Sequence, residues 1–448
     1  MTMAADWKSR LEEHDIRWVR FVWSDLSNRI RGEAIHIDAI DSVASTGPAF
    51  TEGLMGLMLL WDHVPPESGL SPVGQVWARP DWSTLRLPPY LPGHAEIMTD
   101  FVTRDGEPWA CSPRVFLKRM IARLAERGME MAASFENEFH LVIRDENGSI
   151  IPCDHSNYAC IEGLNAHREL LDDLAETLIA QGISVQACHA EAGHGQVEMV
   201  IKHRDVLGAA DQQLVFRETA REISARHGKT ATFLPVVFEK FAGTGCHVHF
   251  SLTRDGENLI PDGATPHRLS ETGRRFLSGV LHHLPALMGI VAPINNSYRR
   301  LQPGMWNGTI QCWGYDNKEA PLRVPTSLEP PSPTNIELKT NDQAANPYLT
   351  LGAIIAAGLH GLDEELPLPE SVDVDPNVLT EHDLATRGLS VLPRDLTTSL
   401  NLLEADTTLI EAMGPILSKA YLGVKRYELQ AQDGWPFETE IDWLLTAF

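Results

Sequence analysis

The chain has 448 residues, of which 37 are Lys or Arg and 61 are Asp or Glu, giving a formal net charge of −24. A field of that sign repels phosphate backbones and anionic membrane surfaces, so neither nucleic acid nor lipid is the expected partner. The length supports a large core and more than one domain.

In chain order, Met1–Arg10 carries Asp6, Lys8 and Arg10 and shows no apolar leader, and Trp7–His14 reads as a short helix. Ile16–Ser24 and Ile30–His36 are β-rich and flank the turn-forming Asp25-Leu-Ser-Asn28. Ser45–Gly56, with Gly47, Gly53 and Gly56, reads as a mobile loop, and the oily run Leu54–Trp61 is far too short to cross a bilayer. Pro65, Pro66, Pro72, Pro80, Pro88, Pro89 and Pro92 then punctuate loops and short edge strands, completing a small β-rich module. Ser112-Pro113 opens a helix with serine as N-cap, proline in the first turn and Gly128 past the end. The domain boundary is placed just before it, separating residues 1–107 from 108–448.

Ser134–Leu141, Ser-Phe-Glu-Asn-Glu-Phe-His-Leu, carries the first chemical signal. As a strand it turns Phe135, Phe139 and Leu141 one way and Glu136, Glu138 and His140 the other. Three later stretches repeat the design. Cys246, Val248, Phe250 and Leu252 oppose His247, His249 and Ser251; Val197, Met199 and Ile201 oppose Gln196 and Glu198; Ile336 and Leu338 oppose Glu337 and Lys339. Four strands with an apolar back and a charged front predict one sheet whose concave face holds ions. Between them, helices are expected over Asn165–Ala180, Asp205–His227, Arg274–Leu287 and from Asn346-Pro347 to about Gly358. Strands are expected at Ile183–Glu191 and Thr232–Phe238, while Pro293–Pro325 reads as irregular and the chain beyond Asp363 as acidic and helical. Without a regular βαβ cadence, the fold class is α+β, an antiparallel sheet covered by helices.

Glu136, Glu138, Glu191, Glu198, Glu337 and His247 form a ligand set dominated by hard oxygen, suited to Mg²⁺ or Mn²⁺ rather than zinc. Six such side chains exceed what one magnesium takes from protein, so two or three ions are expected. Arg300, Lys318, Arg323 and Lys339 add cations, and metal with convergent Arg and Lys is a constellation for phosphoryl transfer. No Walker or kinase glycine loop is present. His-x-His also occurs in barrel-type metal hydrolases, but there it opens the chain, and here it lies past the middle. The six cysteines (Cys111, Cys153, Cys160, Cys188, Cys246, Cys312) form neither a Cys-x-x-Cys pair nor a zinc spacing, which favours free thiols and a cytoplasmic location.

The order of these blocks resembles the glutamine synthetase family, type I. The blocks are the Glu136-x-Glu138 strand, Glu191 to Glu198 with Gly195-Gln196 inside, Gly243-Thr-Gly-Cys-His-Val-His249 and Asn296-Ser-Tyr-Arg-Arg-Leu-Gln-Pro-Gly304. Trp313 to Pro325, Ile336-Glu337 and Asn346-Pro-Tyr-Leu349 complete the set. The resemblance implies an N-terminal β-grasp domain, a funnel-shaped catalytic domain, and a homo-oligomer of two stacked hexameric rings, a dodecamer with sites shared between subunits. It implies one metal on Glu138, Glu191 and Glu198 and another on Glu136, His247 and Glu337. It further implies L-glutamate held by Gly243, His247 and Arg300, and ATP contacted by His249, Ser251 and Arg323. Arg323, Lys318 and Lys339 would act on the transferring phosphoryl group of a γ-glutamyl phosphate intermediate.

The chain departs from that pattern at the amine end. The family's glutamate two residues after the glycine of the Arg-Leu-x-Pro-Gly block is Trp306, and the ammonium-binding aspartate has its nearest counterpart at Thr51 or Glu52. Two phosphate-binding arginines become Lys318 and Lys339, point charges in place of bidentate forks, and Asn335 replaces a basic residue near the nucleotide. An aromatic, less anionic pocket suits an organic amine, whether small, aromatic or a polyamine, better than ammonium, and a monoamine is preferred because a polyamine would want more carboxylates than this stretch shows. The expected activity is therefore a γ-glutamyl-amide ligase. The alternatives are an ordinary glutamine synthetase using ammonium and a catalytically silent oligomeric regulator. The last predicts lost metal ligands, yet all six are present.

Overall fold

A computed structural model describes residues 7–265, 268–329 and 331–448. Met1–Asp6 lies outside the described residues. Among them, five strands form a first sheet: β1 (Trp18–Ser24), β2 (Ile30–His36), β3 (Ala49–Thr51), β4 (Gln75–Pro80) and β5 (His94–Val102), in the order β2-β1-β5-β4-β3. β1 and β2 form an antiparallel hairpin while β1 and β5 run parallel, a β-grasp arrangement. Strand alternation sends Val19, Phe21, Ala95 and Ile97 into a small core with Leu11 of helix α1 (Trp7–Glu13) and Ile40 of the short helix α2 (Ile40–Val43). Val22, Trp23, Met98 and Phe101 instead join the main core. The segment 45–56 is more ordered than its glycines imply: it holds β3 and a 3₁₀ turn, Glu52–Gly56, with Gly53 N donating to Ser71 O at 2.9 Å.

The Asp25–Asn28 turn is a buried plug. Asn28, in the left-handed region at φ 61°, donates from Nδ2 to the carbonyls of Gln343 (3.0 Å) and Ala345 (2.8 Å). Arg217 Nη2 donates to Asn28 Oδ1 at 3.1 Å, and Ser27 Oγ to Glu428 Oε1 at 2.5 Å.

The second sheet comprises β6 (Glu130–Arg144), β7 (Ile150–Pro152), β8 (Val185–Ala190), β9 (Gln196–Ile201), β10 (Arg204–Asp205), β11 (Thr230–Thr232), β12 (Val248–Arg254), β13 (Glu257–Asn258), β14 (Trp313–Tyr315), β15 (Leu322–Val324) and β16 (Ile336–Leu338). Its main path is β14-β15-β16-β12-β6-β9-β8, with every pair antiparallel except β14–β15. β6 is long enough to change partners along its length. Residues 130–135 pair with β12, residues 136–140 with β9 and residues 140–142 with β11. In the gap between β11 and β12 the chain returns as a loop whose His247 O accepts from Glu136 N at 2.9 Å. This gap positions the site.

The apolar back of the sheet meets helices α3 (Pro113–Ala125), α4 (Ile161–Ala180), α5 (Val206–Arg226) and α6 (Glu271–Val291), while α7 (Asn295–Arg300) follows α6 and α8 (Pro347–Asp363) packs on α3, α5 and α6. Phe139 lies 6.2 Å from Phe216 of α5, and Phe250 6.0 Å from Phe276 of α6. α6 and α8 cross in close contact, since a Cβ on Gly279 would sit 2.2 Å from Ala357 O. Further helices cover Glu381–Arg387, Leu396–Ala405, Thr407–Met413, Pro415–Ala431 and Phe437–Leu444. Several expected elements shift. α4 starts before Asn165, at a Cys160 N-cap that makes no side-chain bond, and α6 starts at Ser270, whose Oγ accepts from Gly273 N at 2.9 Å. Thr232–Phe238 leaves the sheet after Thr232, because Val236 N donates to Asn296 Oδ1 rather than to a strand. The segment 293–325 contains α7, β14 and β15. All six cysteines are free, and no helix of the described residues is long and apolar enough to cross a membrane.

Candidate active site

Strand register builds two charged rows on the concave face. Across β8, β9 and β6, His189 stands opposite Glu198, which stands opposite Glu138. Across β12, β16 and β15, His249 stands opposite Glu337, which stands opposite Arg323. Glu136 ties the rows together, with Oε2 3.0 Å from His247 Nδ1 and Oε1 2.9 Å from His249 Nε2. Glu337, fully buried, accepts from Arg323 Nη1 at 2.8 Å and Lys339 Nζ at 3.2 Å, and lies 3.2 Å from His247 Nδ1.

The rows wall a cleft of about 440 Å³. Glu136, Glu138, Glu191, Glu198, Gly243, His247, Arg300, Trp306, Lys318, Arg323, Glu337 and Lys339 all line it. Twelve positions spread over 200 residues of chain thus converge. His249 stands behind the lining and reaches it through Glu136. Ser251, opposite Ala132 on β12, is not among the lining residues. Neither is Glu52, whose carboxylate lies against Gly74 in the N-terminal module. His140 shares the polar side of β6 yet serves as a core histidine, buried and bonded to Thr244 Oγ1 at 2.9 Å, with burial pushing its pKa down to about 4. His189 and Tyr158, which sequence reasoning did not single out, both line the cleft. His189 shares the strand period of Glu191, a usable signal; Tyr158 sits in an irregular loop and offers none.

The electrostatics are those of a carboxylate cluster short of cations. Burial and the charges of Glu136, Glu138, Glu191 and Glu337 push Glu198 up to about 10. Burial also raises Glu138, which accepts from Gly245 N (2.8 Å) and Gln196 Nε2 (2.9 Å). Burial acts the same way on Glu136, but the hydrogen bonds from His247 and His249 hold it well below the carboxylate range. Burial opposes protonation of His249, yet Glu136 and Glu337 raise it to about 9. Such mutual repulsion among hard oxygen donors fits divalent cations. Donor atoms cluster within 4.8 Å in two groups, Glu136–His249–Glu337 and His189–Glu191–Glu198. In the expected sets His247 and Glu138 held the places that His249 and His189 take in these groups. Glu138 is instead turned toward Gly245 and Gln196.

On the far wall, Arg300 is buried, donates from Nη2 to Thr340 O at 2.8 Å, and leaves Nε unpartnered among the described residues. Gly243 permits its approach: a Cβ there would meet Pro235 O at 2.5 Å and Arg300 Cγ at 2.8 Å. The rim is aromatic. Trp306, half exposed, has a positive φ of 57°, uncommon for a bulky residue, and its N–H donates to Glu319 Oε1 at 2.9 Å.

The chain is similar to known proteins in sequence and fold. The family described as "Glutamine synthetase, catalytic domain" matches residues 110–444. The type-1 glutamine synthetase 1 of Dictyostelium discoideum is 33% identical over 94% of this chain and 87% of its own. The gamma-glutamylpolyamine synthetase GlnA3 of Streptomyces coelicolor is 37% identical over 81% of this chain and 79% of its own. Among solved structures, a GmaS/ADP complex superposes with a TM-score of 0.85 at 27% identity, covering 98% of each chain. The converging carboxylates, the curved sheet that carries them and these likenesses together place the chain in the glutamine synthetase family, as an ATP-dependent ligase.

Proposed function

We propose that the chain joins the γ-carboxylate of L-glutamate to an organic monoamine. The observation that carries this reading is Trp306: an indole, not a carboxylate, stands on the cleft wall where the family pattern expects the ammonium-pocket glutamate. The likeness to GlnA3, which is named for a polyamine, and to the GmaS structure supports an organic amine as acceptor, and the choice of a monoamine rests on Trp306.

In this reading a γ-carboxylate oxygen of glutamate attacks the terminal phosphorus of ATP, and ADP leaves. The amine then attacks the carbonyl carbon of the γ-glutamyl phosphate, phosphate leaves, and the amine's proton passes to a carboxylate of the cleft. Arg300 and Gly243, with His247 beside them, hold the amino-acid end. Arg323, Lys318 and Lys339 stabilise charge on the transferring group, and the nucleotide would run from Arg323 past the cleft lining to His249 and Ser251. Two or three Mg²⁺ or Mn²⁺ ions, held by Glu136, Glu138, Glu191, Glu198, Glu337 and the histidines, would supply charge neutralisation between phosphate and carboxylate oxygens. We assign the enzyme to the cytoplasm and to a dodecamer of two hexameric rings, with the site-bearing domain over 108–448. The N-terminal module of an adjacent copy, bearing Glu52, would then close the amine side.

The second reading, ammonium as substrate, is favoured by the likeness to the Dictyostelium glutamine synthetase. Glutamate-dependent ADP release, measured with ammonium and with a panel of primary amines, separates the two. Turnover that ammonium alone supports would overturn the first reading.

A further inference from the structure

A second cleft, of about 690 Å³, lies across helix α7 from the catalytic one. Asn295, Tyr298, Arg299 and Gln302 line it, at i, i+3, i+4 and i+7, and so make one face of α7 and the turn that follows. Asn296 and Arg300, also four apart, make the other face. Arg300 lines the catalytic cleft, and Asn296 grips Val236 by accepting from its N–H at 2.6 Å and donating to its carbonyl at 3.0 Å. One short helix is thus the wall between two clefts.

The charges of the second cleft are only partly paired. Of its three arginines, Arg426 Nη2 donates to Glu404 Oε2 at 2.6 Å and Arg299 Nε to Glu440 Oε2 at 3.0 Å. Arg394 is exposed and makes neither an ion pair nor a side-chain hydrogen bond among the described residues. The carboxylate of Asp433, in the same lining, is equally unengaged among them. A cation and an anion that share a cleft without meeting are complementary to a molecule carrying both charges. Two buried acceptors add to the demand for a donor. Glu440 Oε1 and Gln432 Oε1 belong to lining residues only 4% and 6% exposed, and neither accepts a hydrogen bond among the described residues. Buried polar atoms are nearly always bonded, so acceptors left over at a cleft wall mark where a donor arrives from outside the chain. Trp435 presents an indole to the same space, a surface for an aliphatic group.

We propose that this cleft is a binding site for an α-amino acid with an apolar side chain. Its carboxylate would lie on Arg394, its ammonium on Asp433 with Glu440 and Gln432 behind, and its side chain on Trp435. The site is separate from the catalytic cleft and holds no reacting group. Arg299 and Arg300 are neighbours on one turn of α7, so a ligand drawing on the Arg299–Glu440 pair bears on the seat of Arg300. Occupancy of the second cleft and binding of L-glutamate are then coupled, and such coupling is reciprocal. The coupling rests on the role given to Arg300 above; the site itself does not.

L-Leucine is the probe, and 4-methylpentanoate is the same molecule without its ammonium. Calorimetric titration of the full-length protein without ATP reads binding with no turnover. L-Leucine is expected to bind at least roughly 10-fold more tightly than 4-methylpentanoate. Arg394→Gln should weaken L-leucine by roughly 10-fold or more and Asp433→Asn by roughly 3-fold or more, while kcat and KM measured without L-leucine stay within about 2-fold in both. In assays of glutamate-dependent ADP release, L-leucine should change KM for glutamate by roughly 3-fold or more and the change should level off as the second cleft fills. No binding of L-leucine up to about 10 mM, equal binding of the two probes, or unchanged affinity in Arg394→Gln overturns the site. A KM for glutamate that does not move, or that climbs in proportion to L-leucine without levelling, overturns the coupling through α7. Because the titration needs no catalysis, the site is scored whether the enzyme uses an organic amine or ammonium.

Discussion

Replacing Trp306 by glutamate reverses the chemistry of the amine wall at one position. Both residues carry a Cβ, so the left-handed backbone at φ 57° taxes them alike and the comparison isolates the side chain. Trp306 leaves 50% of its surface open. An aromatic side chain presents roughly 150–250 Å² in all, so on the order of 100 Å² of ring faces a ligand. Complete cover at ~25 cal/mol per Å² is worth about 2.5 kcal/mol, and a small alkyl group covering under half of it about 1 kcal/mol. A partly exposed cation–π contact adds ~0.5–1 kcal/mol. Losing about 1.5–2 kcal/mol lowers kcat/KM for the organic amine roughly 10- to 30-fold. The new carboxylate would attract ammonium and accept its proton, so kcat/KM for ammonium should rise. Initial rates of ADP release on ammonium, methylamine, ethanolamine and an aryl amine measure both changes. If Trp306→Glu leaves the ratio of amine to ammonium efficiency where it was, Trp306 only packs its loop and does not set amine preference.

Glu138→Ala should abolish turnover and weaken Mn²⁺ binding by about 10- to 100-fold or more while the assembly stays intact; calorimetric Mn²⁺ titration and sedimentation check both, and ordinary activity at ordinary magnesium refutes the assignment. Light scattering should report a ring-sized oligomer, and a fully active monomer would contradict the shared site. Burial, opposed by Arg300, lifts the carboxyl of Asp342 from 3.8 to about 6. The native state therefore holds a proton between those values that the unfolded chain has lost, and stability falls as pH rises through that window. Asp342→Asn removes the penalty, so its stability relative to the natural protein should improve by about 1–2 kcal/mol between pH 5 and pH 7.5. Denaturant midpoints at the two pH values test this, and an equal difference at both refutes it.

What the sequence could reveal follows from the period of each element. Glu136, Glu138, Glu198, Glu337 and His247 sit on or beside strands with alternating faces, so their convergence was readable, as was the apolar back that Phe139 and Phe250 press against α5 and α6. The start of α4 was not, because Cys160 gives no capping signal. β3 was hidden among glycines, and its pairing with β4 is set by register that no local pattern states. Trp306 was legible only as a substitution within a family block. Its neighbours Tyr158 and Lys318 lie 148 and 12 positions away, and only the folded loops bring their side chains together. Which histidine completes each donor group is not written in strand alternation: the clusters contain His249 and His189, while His247 Nδ1 lies 3.0 Å from Glu136 and 3.2 Å from Glu337.

The plug at Asn28 bears on how this protein can be cut. Were residues 108–448 expressed alone, Arg217, fully buried, would lose both its acceptors on Asn28, and the Gln343 and Ala345 carbonyls would lose their donor. Each stranded buried group costs about 1–3 kcal/mol, and several at once rival the whole margin by which domains stay folded. The two sheets are thus one unit for any engineering purpose. A chimera that exchanges amine specificity by grafting catalytic domains must carry the Ser24–Arg29 hairpin turn with its own receiving surface, or the graft begins with an open wound in its core.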